Sequence, residues 1–377
     1  MARIFYSMAG EGRGHATRVR SIVEALRHEH EIVIFAPGVA YDFLADCYPA
    51  QANTNVKTFR IPGLLFHYRE RRLSYSRTLW AAGQYLLRYR GLVKRLESEI
   101  RRTQPDLVIT DFEPALPHAA KRCDVPFISL NHQHFLVVSD LSSLPWDLRL
   151  KARCSAPIVS SYYRGQAETI VSSFYFPPLR KQYQHTVMQI GVLLRPEIVA
   201  ARPIEQGHVL VYLRRFADEN VMASLESLNR DVRVYGLGAR SPRGRIQFRP
   251  VSDEAFLEDL RSCDALISNA GNQLVGEAMF LGKPVLAIPE QNNFEQYINA
   301  HFVRQSNAGD WLENRDVSPQ TLGRFMNRLD EYREGIDRRR LYGNPQALAA
   351  IQNHLPGSGA HRFDAAPISL ASEGIDA

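Results

Sequence analysis

Three short segments carry residue types that do chemistry at the entrance to a helix. The first reads Gly10-Glu11-Gly12-Arg13-Gly14-His15, directly after an apolar run and before a segment with Val19, Ile22, Val23 and Leu26 on one helical face. Glycines there let the chain turn tightly and let a ligand oxygen approach the first amides of a helix, where the dipole favours an anion. His15 at that mouth could act as a general base when neutral, or could serve only as a polar helix cap. The spacing is G-x-G-x-G rather than G-x-G-x-x-G, and no acid follows the second apolar run EIVIFAPG, which counts against a nicotinamide dinucleotide.

The second segment is Thr110-Asp111-Phe112-Glu113-Pro114, at the end of the apolar run DLVITD; the next run, PFISLN, ends in Asn131-His132-Gln133-His134. A carboxylate at Asp111 could orient a histidine base and stabilise its protonated form, or could cap the helix that follows. The third is Ser268-Asn269-Ala270-Gly271-Asn272-Gln273, with Glu277 one turn further and a later stretch containing Gln291, Asn292, Phe294, Glu295 and Gln296. A small-residue loop at a helix start makes a cradle suited to a diphosphate, and a Glu one turn on could accept two hydrogen bonds from ribose hydroxyls. The amides of Gln291, Asn292 and Gln296 suit sugar hydroxyls. Any one of these residues alone reads more readily as a surface helix cap; their order along the chain is the stronger signal.

The elements that must position them follow from hydrophobic period. Strand-like runs at 3–9, 31–36, 55–61, 106–111 and 126–131 alternate with segments of 3.6-residue period, and the rhythm restarts at 208–213, 231–236, 264–269 and 283–289. This predicts an α/β chain of two Rossmann-like doubly wound parallel-sheet domains facing a cleft, one over 1–195 and one over 206–355, joined through 192–206. The aperiodic stretch 356–377 is expected to be a disordered tail.

The composition of the 377 residues, 45% apolar and 23% charged, is that of a globular chain, and no apolar run reaches the roughly 18–20 residues of a membrane span. The N-terminus enters a strand without the layout of a signal peptide, so a cytoplasmic location is expected, peripheral to the inner face of the membrane if the basic segment below docks there. Cys47, Cys123, Cys154 and Cys263 are too scattered for a zinc knuckle or a disulfide framework. Net charge is +6, with the excess in the first half of the chain (+9 over 1–200 against −3 over 201–377). Residues 60–102 concentrate it: eleven Lys/Arg and three acids, interleaved with aromatics. Leu79, Ala82, Leu86, Tyr89, Val93, Leu96 and Ile100 fall on one helical face of that segment. It reads as a helix with a solvated basic face, or as a surface for an anionic acceptor or membrane. No nucleic-acid module is visible, which argues against nucleic acid.

Residues 268–300, SNAGNQLVGEAMFLGKPVLAIPEQNNFEQYINA, resemble the donor-site signature of inverting GT-B glycosyltransferases, the group containing the UDP-glycosyltransferases and the N-acetylglucosaminyl transferase of peptidoglycan synthesis. GEGRGHATR looks like the Gly-rich loop and histidine of that superfamily. PDLVITDFEPALPHAAKRCDVPFISLN, with NHQH after it, is similar to the aspartate-bearing segment of a microbial branch. Segments 60–102 and 135–190 match nothing specific.

The resemblance implies an enzyme that moves a sugar from a nucleotide-sugar, with uridine as the base, to an acceptor hydroxyl, with inversion and without a bound metal or other cofactor. It implies His15 as base paired with Asp111. Asn269, Gly271, Asn272, Gln273, Glu277, Gln291, Asn292, Phe294, Glu295 and Gln296 would line the donor site. Gly12, Gly14, Glu113, His132 and His134 would line the acceptor side, with an acceptor that could be lipid-linked or anionic. Two alternatives stay open: a UDP-sugar epimerase or hydrolase on the same fold, and a non-catalytic protein that binds nucleotide-sugar or anionic lipid. The chain has no D-x-D triplet, in keeping with a metal-free donor site, and PEQNNFEQ departs from the Trp-rich plant signature, so sugar identity does not transfer.

Overall fold

The computed structural model describes residues 1–356 except 11, 51, 53–54, 64–67, 70–71, 74 and 215–217. The tail expected from 356 falls, from 357 onward, outside the described residues.

The first sheet is built from β1 (Arg3–Met8), β2 (Glu31–Ala36), β3 (Val56–Arg60), β6 (Leu107–Asp111), β7 (Phe127–Asn131), β8 (Glu168–Ser172) and β9 (Val187–Ile190). Short β4 (Tyr68–Arg69) and β5 (Arg72–Leu73) pair with each other, antiparallel. The seven strands are all parallel, in the order β3-β2-β1-β6-β7-β8-β9. Every residue of β6 and β7 is buried, the consequence of helices on both faces and the reason these strands read as unbroken apolar runs. On one face lie α1 (Gly12–Leu26) and α2 (Gly38–Cys47); on the other lie α3 (Tyr75–Thr103), α4 (Ala115–Arg122), α5 (Phe135–Val138) and α6 (Trp146–Tyr162).

A linker carrying α7 (Pro196–Ala200) leads to the second sheet. This contains β10 (His208–Tyr212), β11 (Asp231–Tyr235), β12 (Ile246–Phe248), β13 (Ala265–Ser268), β14 (Val285–Ala287) and β15 (Gly309–Trp311), parallel and in the order β12-β11-β10-β13-β14-β15. Its helices are α8 (Glu219–Glu226), α9 (Asp253–Ser262), α10 (Asn272–Phe280), α11 (Phe294–Gln305), α12 (Pro319–Met326) and α13 (Leu329–Glu334). In each sheet the strand order reverses beside the first strand, between β1 and β6 and between β10 and β13. Such reversals open a crevice at the carboxyl ends of the strands. Asp111 ends β6 and Ser268 ends β13, so both chemistry-bearing loops leave from these crevices.

Two features depart from the sequence reading. The last helix, α14 (Asn344–Asn353), returns to the first domain: Ala347, Ala350, Ile351 and Leu355 join the core formed by α1 and β1. Leu86, expected on the packed face of α3, is 66% exposed, while Tyr85 and Leu92 are buried. The packed stripe is carried by Tyr85, Leu92, Val93, Leu96 and Ile100 against α4, and Leu79 and Ala82 fall outside the described side chains. Burial along the described part of α3 thus alternates between Tyr85 and its exposed neighbours Leu86 and Leu87, which the period alone does not predict.

Candidate active site

The loop after β1 is shaped by a close approach: a Cβ on Gly10 would lie 2.8 Å from Pro37, so only glycine lets the chain pass before α1 begins. In the first turns of α1, His15 and Arg18 stand three residues apart and so share a face. Both turn toward Asp111, which is wholly buried at the end of β6. Arg18 grips the carboxylate with both ends of its guanidinium, Nε donating to Oδ2 and Nη2 to Oδ1, each at 2.9 Å. His15 Nδ1 lies 3.1 Å from Oδ2 of the same carboxylate and 3.0 Å from Arg18 Nη2. Arg18 can only donate, so with the imidazole proton on Nε2 it is Nδ1 that accepts from Arg18; with the proton on Nδ1 the ring donates to Asp111 instead, and Nε2 keeps the lone pair that a base requires. Burial opposes ionisation of Asp111, but Arg18 and His15 outweigh it and hold the carboxyl below its usual range. Phe112, with φ of 59°, turns the chain sharply after Asp111 and sets its ring parallel to His15 at 6.5 Å. A non-glycine residue in this region is a strained one, and Ala270 after β13 has the same geometry at φ 60°.

Across the cleft, α10 starts at Asn272 with Gly271 as its N-cap. A Cβ on Gly14 would sit 3.7 Å from that of Gln273, so the N-terminal ends of α1 and α10 meet face to face. Most of the polar groups on this side are engaged with protein. Asn269 accepts from the Arg214 amide at 2.7 Å and donates to the Ile288 carbonyl, bracing the loops after β10 and β14. Asn272 bonds to Ser173 and to the Ser172 carbonyl, and Gln273 donates to the Leu193 carbonyl at 2.7 Å, so both tie α10 to the first domain and its linker. Glu277, 2% exposed, accepts from Arg195 and from Gln273. Gln296 holds the Glu290 amide at 2.7 Å and its carboxylate at 3.1 Å, fixing the loop that carries exposed Gln291 and Asn292. Glu295 stays partly open, 3.9 Å from His132 Nε2; burial raises its carboxyl, an effect His15 and Arg18 partly offset. Phe294 is half-buried against the core.

The histidines after β7 and the acid after Asp111 are more enclosed than their positions suggest. Glu113, two residues before α4, accepts from the Ala115 and Leu116 amides of its first turn, and burial raises its carboxyl. His134 is bonded to Ser129 and packed on Tyr163, and burial pushes it down to about 4. His132 reaches Asn299 of α11 and Tyr175, and burial pushes it down to about 3. Sequence reasoning missed Arg18 and Arg195. Arg18 had a signal in its three-residue offset from His15; Arg195 had none beyond being a single cation in an apolar run.

Two doubly wound parallel-sheet domains whose crevice loops meet across one cleft define the GT-B architecture, and the chain is a glycosyltransferase of that type. It belongs to glycosyl transferase family 1, whose model matches residues 2–330. Solved structures share the fold at low identity. The calicheamicin glycosyltransferase CalG4 is 18% identical with a TM-score of 0.66, over 96% of this chain and 100% of its own. UGT89C1 of Arabidopsis thaliana, complexed with UDP-L-rhamnose, is 14% identical at a TM-score of 0.65, over 93% and 98%. MurG of Acinetobacter baumannii is 14% identical at 0.58, over 94% and 100%. No curated protein sequence matches this one.

Proposed function

We propose that the chain transfers a sugar from a nucleotide-sugar, most simply a UDP-sugar, to an acceptor hydroxyl with inversion. The observation that carries this is the pairing of His15 Nδ1 with Asp111 at 3.1 Å, directly opposite the N-terminus of α10. His15 Nε2 takes the acceptor's proton as the acceptor oxygen bonds to the anomeric carbon and the bond from that carbon to the diphosphate oxygen breaks. The amides of Gly271 and Asn272 and the α10 dipole stabilise the departing nucleoside diphosphate without a metal ion. Glu277 takes the ribose, and Gln291, Asn292 and the Phe294–Gln296 stretch face the sugar. A UDP-L-rhamnose complex among the structures sharing this fold supports a UDP-sugar donor. A thermal-shift series with nucleoside diphosphates, in chelator and without added metal, tests the donor site. UDP should raise the melting temperature of the native chain and not that of Glu277→Ala; no shift with any nucleotide overturns the reading.

The acceptor side suits an anionic surface. Trp80, Leu86 and Leu87 on α3 and Trp146, Leu150 and Ile158 on α6 are each more than half exposed, on two helices that both pack on α4 and carry Arg88, Arg90, Arg149 and Arg153. Apolar and basic side chains interleaved in this way match a lipid headgroup boundary. Cosedimentation with anionic vesicles, lost in Trp146→Ser with Leu150→Ser, is the expected result, and equal binding to neutral vesicles argues against it. Among the described residues no helix is long and apolar enough to cross a membrane.

A further inference from the structure

We propose that Asn299 is a positioning residue of the donor site: by holding the carbonyl of Ala270 it aims the Gly271 N–H at the diphosphate. The inference rests on the donor reading above, in which the first amides of α10 receive the departing nucleoside diphosphate, and it names a buried side chain of α11 to which that reading gives no part.

Ala270 joins β13 to the N-cap of α10 in a conformation that side chains rarely adopt, at φ 60°. Such a residue persists only where its surroundings over-determine it. Here two consecutive residues of α11 hold it. Ala300 packs against the Ala270 methyl, with Ala287 of β14 completing a small buried cluster. Asn299, wholly buried, donates from Nδ2 to the Ala270 carbonyl at 2.9 Å. A carbonyl only accepts, so this contact fixes which end of the Asn299 amide faces the loop. The other end, Oδ1, accepts from the Tyr175 hydroxyl at 3.0 Å and lies 3.3 Å from His132 Nε2. Tyr175 is in turn stacked on Phe302, which shares a face of α11 with Asn299, with ring centroids 4.0 Å apart. The Asn299 amide is therefore held at both ends.

The consequence for the site comes from the planarity of the peptide bond. The C=O of Ala270 and the N–H of Gly271 belong to one trans peptide unit, and so point in opposite directions. With the carbonyl turned into the protein toward Asn299, the N–H is turned outward at Gly271, which is exposed and is the N-cap of α10. That is the end of α10 that faces α1 across the cleft. An N–H fixed in advance stabilises charge developing on a phosphate oxygen without reorganising as the bond to the sugar breaks. Released from Asn299, the Ala270–Gly271 unit is free to flip, and a flipped unit presents its carbonyl oxygen, the negative end of the peptide dipole, to the diphosphate.

The test compares UDP with uridine by calorimetry on the full chain, because only UDP carries the diphosphate. Asn299→Ala should lower UDP affinity at least about tenfold and keep uridine affinity within about twofold. Tyr175→Phe keeps the Phe302 stack and the Ala270 contact and removes only a hydroxyl, so UDP affinity should stay within about twofold of native. Unchanged UDP affinity in Asn299→Ala, equal losses for UDP and uridine, or an equal loss of UDP in Tyr175→Phe overturns the proposal. A merely structural role at the seam between the domains would act on both ligands, or through both partners of Asn299. Should Asn299→Ala fail to fold, the native chain decides. The Gly271 amide resonance is assigned by its loss in Gly271→Ala, where φ is −68° and a Cβ meets nothing within 4 Å. On titration with UDP its proton should move downfield as it enters a hydrogen bond to phosphate, and UDP binding that leaves it in place overturns the proposal. A native chain in which the diphosphate adds nothing to the binding of uridine overturns the donor reading instead.

Discussion

Arg195, from the linker between the two sheets, donates from Nη2 to Oε2 of Glu277 at 3.0 Å, while Gln273 donates to the other oxygen at 3.1 Å. Both partners of the ion pair are nearly closed to solvent. The carboxylate that the donor reading gives to the ribose is therefore also a lock between α10 and the linker. A sugar diol reaches it only by replacing one of these donors, which couples donor binding to the junction of the domains.

Glu277→Gln keeps the shape and removes the charge. Loss of charged hydrogen bonds is worth about 1.5–3 kcal/mol, so UDP affinity measured by calorimetry should fall at least about tenfold. The urea midpoint should fall too, because Arg195 is left buried without its counter-charge. Unchanged affinity would take Glu277 out of the donor site.

His15→Ala should reduce turnover by about 100-fold or more, the scale of general-base catalysis, with UDP affinity kept within about twofold. The separation matters: His15 stands on α1 and the donor groups on α10, so a loss confined to turnover marks a role on the acceptor side of the cleft. Turnover near the native rate would remove the base.

Acid should unfold the chain through its buried histidines. Burial lowers His132 to about 3 and His134 to about 4, against an ordinary value of 6.5. Between those values the unfolded chain binds protons that the folded chain refuses, so this stability is present above pH 6.5 and is lost as pH falls toward 4. Urea midpoints measured across that range should drop, and His134→Asn should flatten the drop. A slope identical to the native one would mean that His134 does not contribute.

Gly276 lies where α10 meets the linker, and a Cβ there would stand 2.3 Å from Cγ1 of Val192. Gly276→Ala should cost about 1–3 kcal/mol as an overpacked contact. Gly83→Ala, in α3 with nothing within 4 Å, should instead gain about 0.5–1 kcal/mol from helix propensity. Thermal denaturation of the two variants checks both signs.

Much of this protein was written locally. The strand runs, the glycine turn before His15 and the small-residue entry to α10 are patterns of a few residues, set by backbone sterics and hydrophobic period, and they were sufficient for two parallel-sheet domains and a cleft between them. Strands β8 and β9 escaped that reading; they lie in 135–190, a segment that resembles nothing specific. The partners of the site were decided elsewhere. Arg18 and Asp111 are 93 residues apart and Arg195 and Glu277 are 82 apart, so neither ion pair leaves a trace in local spacing. Only the packing of α1 on the first sheet and of α10 on the linker brings those charges together. The same holds for α14, which reads like any amphipathic helix yet buries Ile351 in the first domain, and for Leu86, apolar by type yet exposed on α3. Local sequence determines which element forms; which side chains it buries and which charges it pairs depend on neighbours that only the folded chain supplies.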